Sequence, residues 1–357
     1  MVQSVAVDDF LKAHGPILDV RSPGEYDQAH IPSAVSFPLF TNHERAQVGT
    51  CYKHQGRDHA VELGLALVGP KLADFVIQAK QIAPDRQVRV HCWRGGMRSG
   101  SMAWLLETAG FAVTTLRGGY KAFRRWGRQR LASPQPMISL GGMTGTGKTA
   151  ILLAMAAQGE QILDLEGMAH HRGSSYGALG LPPQPSTEQF ENLVAIATTH
   201  LSPDRPVWIE AESKQIGRCR IPPELFSQMM QAPVIQVERS RSERIANLLA
   251  DYGDADPMGL ITATERLRKR LGGLRTQEAI AHIQTGNLEP AIATVLDYYD
   301  KTYTYDLQKK RDVAIYPIDI TGMTAEAAAW AVRQAAATHL RNQAPVSDPV
   351  AIAEHQT

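Results

Sequence analysis

A cysteine followed closely by two arginines and two glycines is the first stretch able to do chemistry: residues 91–100 read HCWRGGMRSG. A strand ending at Cys92 and a helix opening near Ser99 would turn the loop N–H groups inward over the thiol, at the usual ligand position of an open α/β sheet. Backbone donors, the helix dipole and Arg98 would then lower the thiol pKa and produce a nucleophilic thiolate. Gly95 and Gly96 allow the positive φ angles that such a nest needs, and Arg94 adds a second cation. The candidate catalytic residues are therefore Cys92, Arg94, Gly95, Gly96 and Arg98.

A second chemical stretch, GMTGTGKT (142–149), matches G-x-x-x-x-G-K-[ST] between a strand and a helix. Its backbone N–H groups wrap a diphosphate, Lys148 supplies a point charge and Thr149 can ligate Mg²⁺. Gly142, Thr144, Gly145, Thr146, Gly147, Lys148 and Thr149 form the expected diphosphate site. The metal needs an acidic partner, and two strand ends offer one: Asp164 and Glu166 in QILDLEG, or Glu210 and Glu212 in VWIEAES. Asp164 is preferred, because DLEGMAHHRGSSYG (164–177) continues with residues suited to ligands, among them Arg172 for the diphosphate. His170 and His171 are adjacent, so their side chains diverge and make no metal site.

Certain elements must position these loops. PILDV (16–20), AVSFPL (34–39) and VRVHC (88–92) read as strands, and SGSMAWLLETAG (99–110) reads as a helix stopped by Gly110. Strands alternating with helices predict a parallel α/β sheet. MISLGG then starts a second α/β unit, with PVWIEA (206–211) and APVIQVE (232–238) as further strands. The expected organisation is a first domain over 1–128, a linker over 129–136 and a P-loop NTPase-like domain over 137–340. The latter carries an appended helical segment at about 258–310, and a loose tail follows over 341–357.

The chain has 357 residues, 43% hydrophobic and 20% charged, enough for two ordinary cores. No run of about eighteen apolar residues predicts a membrane span, and the first residues lack the pattern of a secretory signal. Cys51, Cys92 and Cys219 make no disulfide framework, so a reducing, cytoplasmic setting is expected. Net charge is +1, and a nucleic-acid partner would have to meet a local basic patch. One exists. Between Glu107 and Glu160 there is no acidic residue, and Arg117, Lys121, Arg124, Arg125, Arg128 and Arg130 fill the span. Tyr120, Phe123 and Trp126 are interleaved and could stack an exposed base. A second basic cluster, Arg266 to Arg275, lies in the helical segment, and LDYYDKTYTYD (296–306) is expected to pack as a helix.

LDVRSPGEYDQAHIPSAVSFPL (18–39), HCWRGGMRS and LRGGYKAFRRW (116–126) together resemble a rhodanese domain. That family moves sulfur or selenium on its loop cysteine, and Ala29 and Ser33 stand where many members have glycine. The five residues between Cys92 and Arg98 match the spacing of the related dual-specificity phosphatases, whose loop holds a tetrahedral oxyanion. A rhodanese domain followed by a P-loop domain, with DLEGMAHHRGSSYG, WIEAES and LDYYDKTY, is similar to the bacterial tRNA 2-selenouridine synthases. The resemblance implies a transferase that exchanges sulfur for selenium at a wobble 2-thiouridine of tRNA. It would do so by S-geranylation from geranyl diphosphate, followed by selenation from selenophosphate. The competing reading is a sulfurtransferase or rhodanese-fold phosphatase fused to a domain that uses a nucleoside triphosphate.

Overall fold

The computed structural model describes residues 2–310 and 313–341, with side chains to residue 301 and again over 313–340. The first domain runs β1 (Gln3–Val5), α1 (Val7–Lys12), β2 (Ile17–Asp19), α2 (Pro23–Gln28), β3 (Val35–Ser36) and α3 (Asn42–Gln55). It continues through α4 (Arg57–Val68), α5 (Leu72–Ile82), β4 (Gln87–His91), α6 (Met97–Thr108), β5 (Ala112–Leu116) and α7 (Gly119–Ala132). Its five strands form one parallel sheet in the order β1-β5-β4-β2-β3. A parallel sheet is covered on both faces. Leu18, Val88 and Val90 are accordingly buried, beneath Phe37, Phe75, Met102 and Leu106. The central strand β4 delivers Cys92 from its C-terminal end.

The second domain begins β6 (Met137–Gly142), α8 (Lys148–Ala157), β7 (Gln161–Leu163), α9 (Leu165–Ala169), α10 (Thr187–Ala197) and β8 (Val207–Glu210). There follow β9 (Gln215–Ile216) and β10 (Cys219–Arg220), a small antiparallel pair, then α11 (Pro223–Gln231), β11 (Val234–Glu238) and α12 (Arg241–Tyr252). The appended helices are α13 (Pro257–Arg266), α14 (Arg268–Leu271), α15 (Gly273–Gln284) and α16 (Leu288–Lys310). The chain returns through β12 (Ile315–Asp319) and α17 (Ala325–Arg341). The main sheet is again parallel and five-stranded, β12-β11-β6-β8-β7, with the phosphate loop leaving its central strand β6.

The expected boundary shifts. The linker expected over 129–136 is helical in its first four residues, because α7 runs on to Ala132. The reason is burial: Leu131 is 3% exposed and packs with Leu163, Phe190 and Met229 of the second core, an apolar contact that keeps the helix going. Only 133–136 connects the domains, and Pro134 and Pro136 keep that piece from extending the helix. The same helix bonds across the boundary. The Tyr120 hydroxyl donates to Glu188 at 2.7 Å, and Asn192 donates to the Tyr120 oxygen at 2.8 Å and to the His30 carbonyl at 2.9 Å. Residues 342–357, nearly all of the expected tail, lie outside the described residues, as do the side chains of Tyr303 and Tyr305.

Candidate active site

The cysteine loop closes over its thiol as the residue pattern requires. Cys92 is 3% exposed, and its Sγ lies 3.2 Å from Ser99 Oγ. Burial pushes the thiol up, but the Ser99 hydroxyl and the backbone N–H groups of Ser99, Arg94 and Gly96 outweigh it, leaving the pKa below its ordinary value. Arg98, expected to lower that pKa, has a carboxylate partner of its own: it pairs with Glu25, at 2.7 Å. Two glycines are obligatory where the loop presses on the turn between β5 and α7. Gly95 has φ +65° and a Cβ there would stand 2.6 Å from the Leu116 carbonyl oxygen. Gly119 has φ +60° and a Cβ would stand 2.4 Å from the Cys92 oxygen. Tyr120 N–H and Lys121 N–H donate to the carbonyls of Cys92 and Trp93. Behind the loop, Arg21 and Asp19 form a fully buried ion pair, and burial holds His91 neutral with a pKa pushed down to about 4.

The phosphate loop wraps the N-terminus of α8. Lys148 Nζ donates to the Gly142 carbonyl at 2.9 Å. Thr149 Oγ1 donates to Glu210 Oε1 at 2.8 Å and sits 3.2 Å from Glu166 Oε2. Strand β8 lies beside β6, so its terminal Glu210 arrives next to Thr149 by sheet register alone. The preferred metal partner, Asp164, has a different task. Its Oδ1 accepts the Gly167 N–H at 2.7 Å as the N-cap of α9. The carboxylates that gather are Glu166, Glu210 and Glu212, with ligand atoms within 4.8 Å of one another. Glu210 is fully buried and its Oε2 has no hydrogen-bond partner. Burial, then the neighbouring carboxylates, raises the pKa of Glu166 and of Glu210, so near neutrality the cluster retains a proton. Three convergent oxygen donors and the Thr149 hydroxyl fit a hard divalent cation such as Mg²⁺.

Arg172, expected at the diphosphate, donates to the Leu179 carbonyl at 3.0 Å and lies 5.5 Å from the centre of the Tyr252 ring. It braces the loop that follows α9. Two residues of α12 that sequence reasoning passed over do touch the phosphate loop. Arg244 Nε donates to the Thr144 carbonyl and Asn247 Nδ2 to the Gly145 carbonyl, both at 2.8 Å. Arg244 is in turn held by Asp300 of α16. Beside this clasp lies an apolar cavity with Thr144 of the loop in its wall and Leu248, Leu260, Ile283, Ile292 and Tyr299 among its lining. The appended helices supply most of its wall, and α12 and the loop after α9 complete it.

The basic stretch divides in two. Arg124 binds Glu188, Glu191 and Asn192, and Arg130 donates to the Thr198 carbonyl at 2.8 Å. These two fasten the domains, drawing from the second domain the acids that their own stretch lacks. Tyr120 and Phe123, expected to stack bases, are fully buried. Arg117, Lys121, Arg125 and Arg128 remain exposed, and Lys121, Arg125 and Arg128 recur at i, i+4 and i+7 on one face of α7. In the second cluster Arg268 pairs with Glu265. No helix among the described residues is long and apolar enough to cross a membrane.

Residues 135–338 match the family model of the tRNA 2-selenouridine synthase AAA domain, and residues 6–125 match that of the rhodanese-like domain. A tRNA 2-selenouridine synthase from Marinobacter nauticus is 36% identical over 333 residues, covering 83% of this chain and 89% of that protein. The chain belongs to the tRNA 2-selenouridine synthase family. A second member, from Shewanella sp. strain MR-4, is 36% identical over 338 residues, covering 85% and 87% respectively. The N-terminal domain of an ATP/GTP-binding protein from Clostridium difficile 630 is 42% identical and covers 35% of this chain and 98% of its own, with a TM-score of 0.34. In this family member α7 joins the rhodanese-like half to the AAA half, because its Gly119 end supports the cysteine loop and its Leu131 end lies in the second core.

Proposed function

We propose that this protein is a cytoplasmic tRNA 2-selenouridine synthase that uses its two cradles in succession on one nucleobase. In the first stage the P-loop holds geranyl diphosphate. The 2-thiocarbonyl sulfur of the wobble uridine attacks C1 of the geranyl group, the C–O bond breaks, N3 loses its proton and diphosphate departs. Lys148 and the loop N–H groups stabilise the charge that develops on the leaving group. Glu166, Glu210, Glu212 and Thr149 would hold Mg²⁺, which supplies further charge neutralisation at the diphosphate.

In the second stage the cysteine loop holds the oxyanion of selenophosphate. Selenium adds at C2 of the S-geranyl nucleoside, the C–S bond breaks with geranylthiolate leaving, and the P–Se bond is then cleaved. Alkylated sulfur leaves more readily than thiocarbonyl sulfur, which gives the first stage its purpose. Cys92, held toward the thiolate, acts in that last cleavage: its sulfur attacks phosphorus as the P–Se bond breaks, and water then releases phosphate from the phosphocysteine and restores the thiol. Arg117, Lys121, Arg125 and Arg128 are proposed to contact the tRNA backbone.

The observation that carries this reading over a nucleotide-driven one is the apolar cavity at the phosphate loop. A diphosphate cradle whose wall continues into aliphatic side chains suits a hydrocarbon chain joined to a diphosphate. Mass spectrometry of tRNA nucleosides after incubation with thiolated tRNA, geranyl diphosphate and selenophosphate tests it. Both S-geranyl-2-thiouridine and 2-selenouridine are expected. Turnover that demands ATP and ignores geranyl diphosphate contradicts the assignment.

A further inference from the structure

Arg98 closes the Cys-x5-Arg span, yet its guanidinium is already engaged. Nη1 donates to Glu25 Oε2 at 2.7 Å and Nη2 to Glu25 Oε1 at 3.3 Å. This end-on pairing leaves the lateral Nε–H edge of the guanidinium to meet a ligand. Glu25 is itself firmly mounted. It is the third residue of α2, behind Pro23, and its Oε2 also accepts the Ser22 N–H at 2.9 Å in a capping box. Gly24 N–H donates to Asn42 Oδ1 at 2.8 Å, which ties the same turn to α3. The Glu25 side chain is 17% exposed. Burial pushes its pKa up, but Arg98, the Ser22 N–H and Arg45 lower it to about 2. It is therefore an anion at every working pH and donates no proton.

We propose that Glu25 is the positioning residue of the cysteine cradle, fixing the Arg98 guanidinium in one orientation before any oxyanion arrives. A long arginine side chain that is ordered in advance loses its rotamer freedom on folding and not on binding. The inference rests on the reading that the loop takes an oxyanion. It assigns to residue 25 a role in ligand affinity, whereas a staple between α2 and α6 would act on stability alone.

The test uses the full chain and inorganic phosphate as probe. Phosphate in the loop shields Cys92 from iodoacetamide, read as alkylation of the Cys92 peptide by mass spectrometry. Glu25→Gln keeps the side-chain length and the capping acceptor but removes the charge. The phosphate concentration for half-protection is expected to rise roughly tenfold at a temperature where the variant is fully folded, with the melting temperature lowered by loss of the ion pair and the geranylation rate unchanged. Arg98→Ala is expected to lose most protection, and the double variant to be no worse than Arg98→Ala alone. Should Glu25→Gln fail to fold, Glu25→Asp retracts the charge by one methylene and must shift protection in the same direction. Protection that is unchanged or tighter in Glu25→Gln, or losses that multiply in the double variant, overturns the inference while leaving the oxyanion reading intact. No protection in the wild type sinks both.

Discussion

The two cradles differ in how far along the chain their parts lie. The cysteine cradle takes its donors from one run, Cys92 to Ser99, and needs from elsewhere a supporting turn and Glu25. The phosphate cradle has an equally local core over 142–149, but its acids come from the end of β8 and from α9, and its backbone is clasped by Arg244 and Asn247. Arg244 sits 100 residues from Thr144. Both loops leave the central strand of a five-stranded parallel sheet, so each points at ligand from the same architectural place. On the proposed reading, a contiguous loop defines what anion is held, while distant helices define what that anion is attached to. The cavity of the appended helices supplies the second kind of information for the phosphate cradle.

If the cradles act separately, damage to one must spare the other. The largest effect is expected from Cys92→Ala: selenation of S-geranyl tRNA falls by roughly 10³-fold or more, and geranylation of thiolated tRNA proceeds at the normal rate. Equal loss of both activities would contradict that separation. Lys148→Ala is expected to slow geranylation by about 10²- to 10³-fold, because the charge on the leaving diphosphate is no longer stabilised, measured as S-geranyl nucleoside per unit time.

Acidity separates the cradles as well. The Cys92 pKa is lowered, so selenation should fall as pH drops through that lowered value, below the range where an ordinary thiol titrates. The pKa values of Glu166 and Glu210 are raised, so a divalent ion must displace a proton to bind. Its affinity should tighten as pH rises, with proton uptake by the buffer seen in calorimetry in buffers of different ionisation enthalpy. Glu210→Gln is expected to weaken the ion by about tenfold or more and to flatten that pH dependence. Affinity independent of pH would place the ion elsewhere. The smallest effect is expected at the helix face. Replacing Lys121, Arg125 and Arg128 by alanine should weaken tRNA binding evenly across sequences and reduce the salt slope by roughly 0.7–0.9 for each phosphate that is no longer neutralised.

What could be read in the chain follows the same division. The strand ends and the two anion loops are legible because turn chemistry and apolar runs are local. The sheets, the P-loop unit and the helical segment beginning near residue 258 follow from those runs. Asp164 is preferred in the sequence because residues suited to ligands follow it, but an Asp three residues before Gly167 is also placed to cap a helix, and spacing alone does not rank the two. Glu25 was invisible because 73 residues separate it from Arg98. The basic stretch misled for a related reason. Arg124 and Arg130 find their acids and carbonyls in another domain, and a run without acids in sequence need not be without them in space. Tyr120 and Phe123 share a stretch with cations and yet belong to a core.

The central claim is that two anion cradles perform successive substitutions on the same base. Its most direct test supplies Lys148→Ala with tRNA already carrying S-geranyl-2-thiouridine, together with selenophosphate, and measures 2-selenouridine by nucleoside mass spectrometry. The account predicts selenouridine at close to the wild-type rate, since the phosphate loop has no part in the second stage. A variant that cannot selenate the geranylated tRNA, or a wild-type protein that selenates 2-thiouridine with no geranyl donor present, would contradict it.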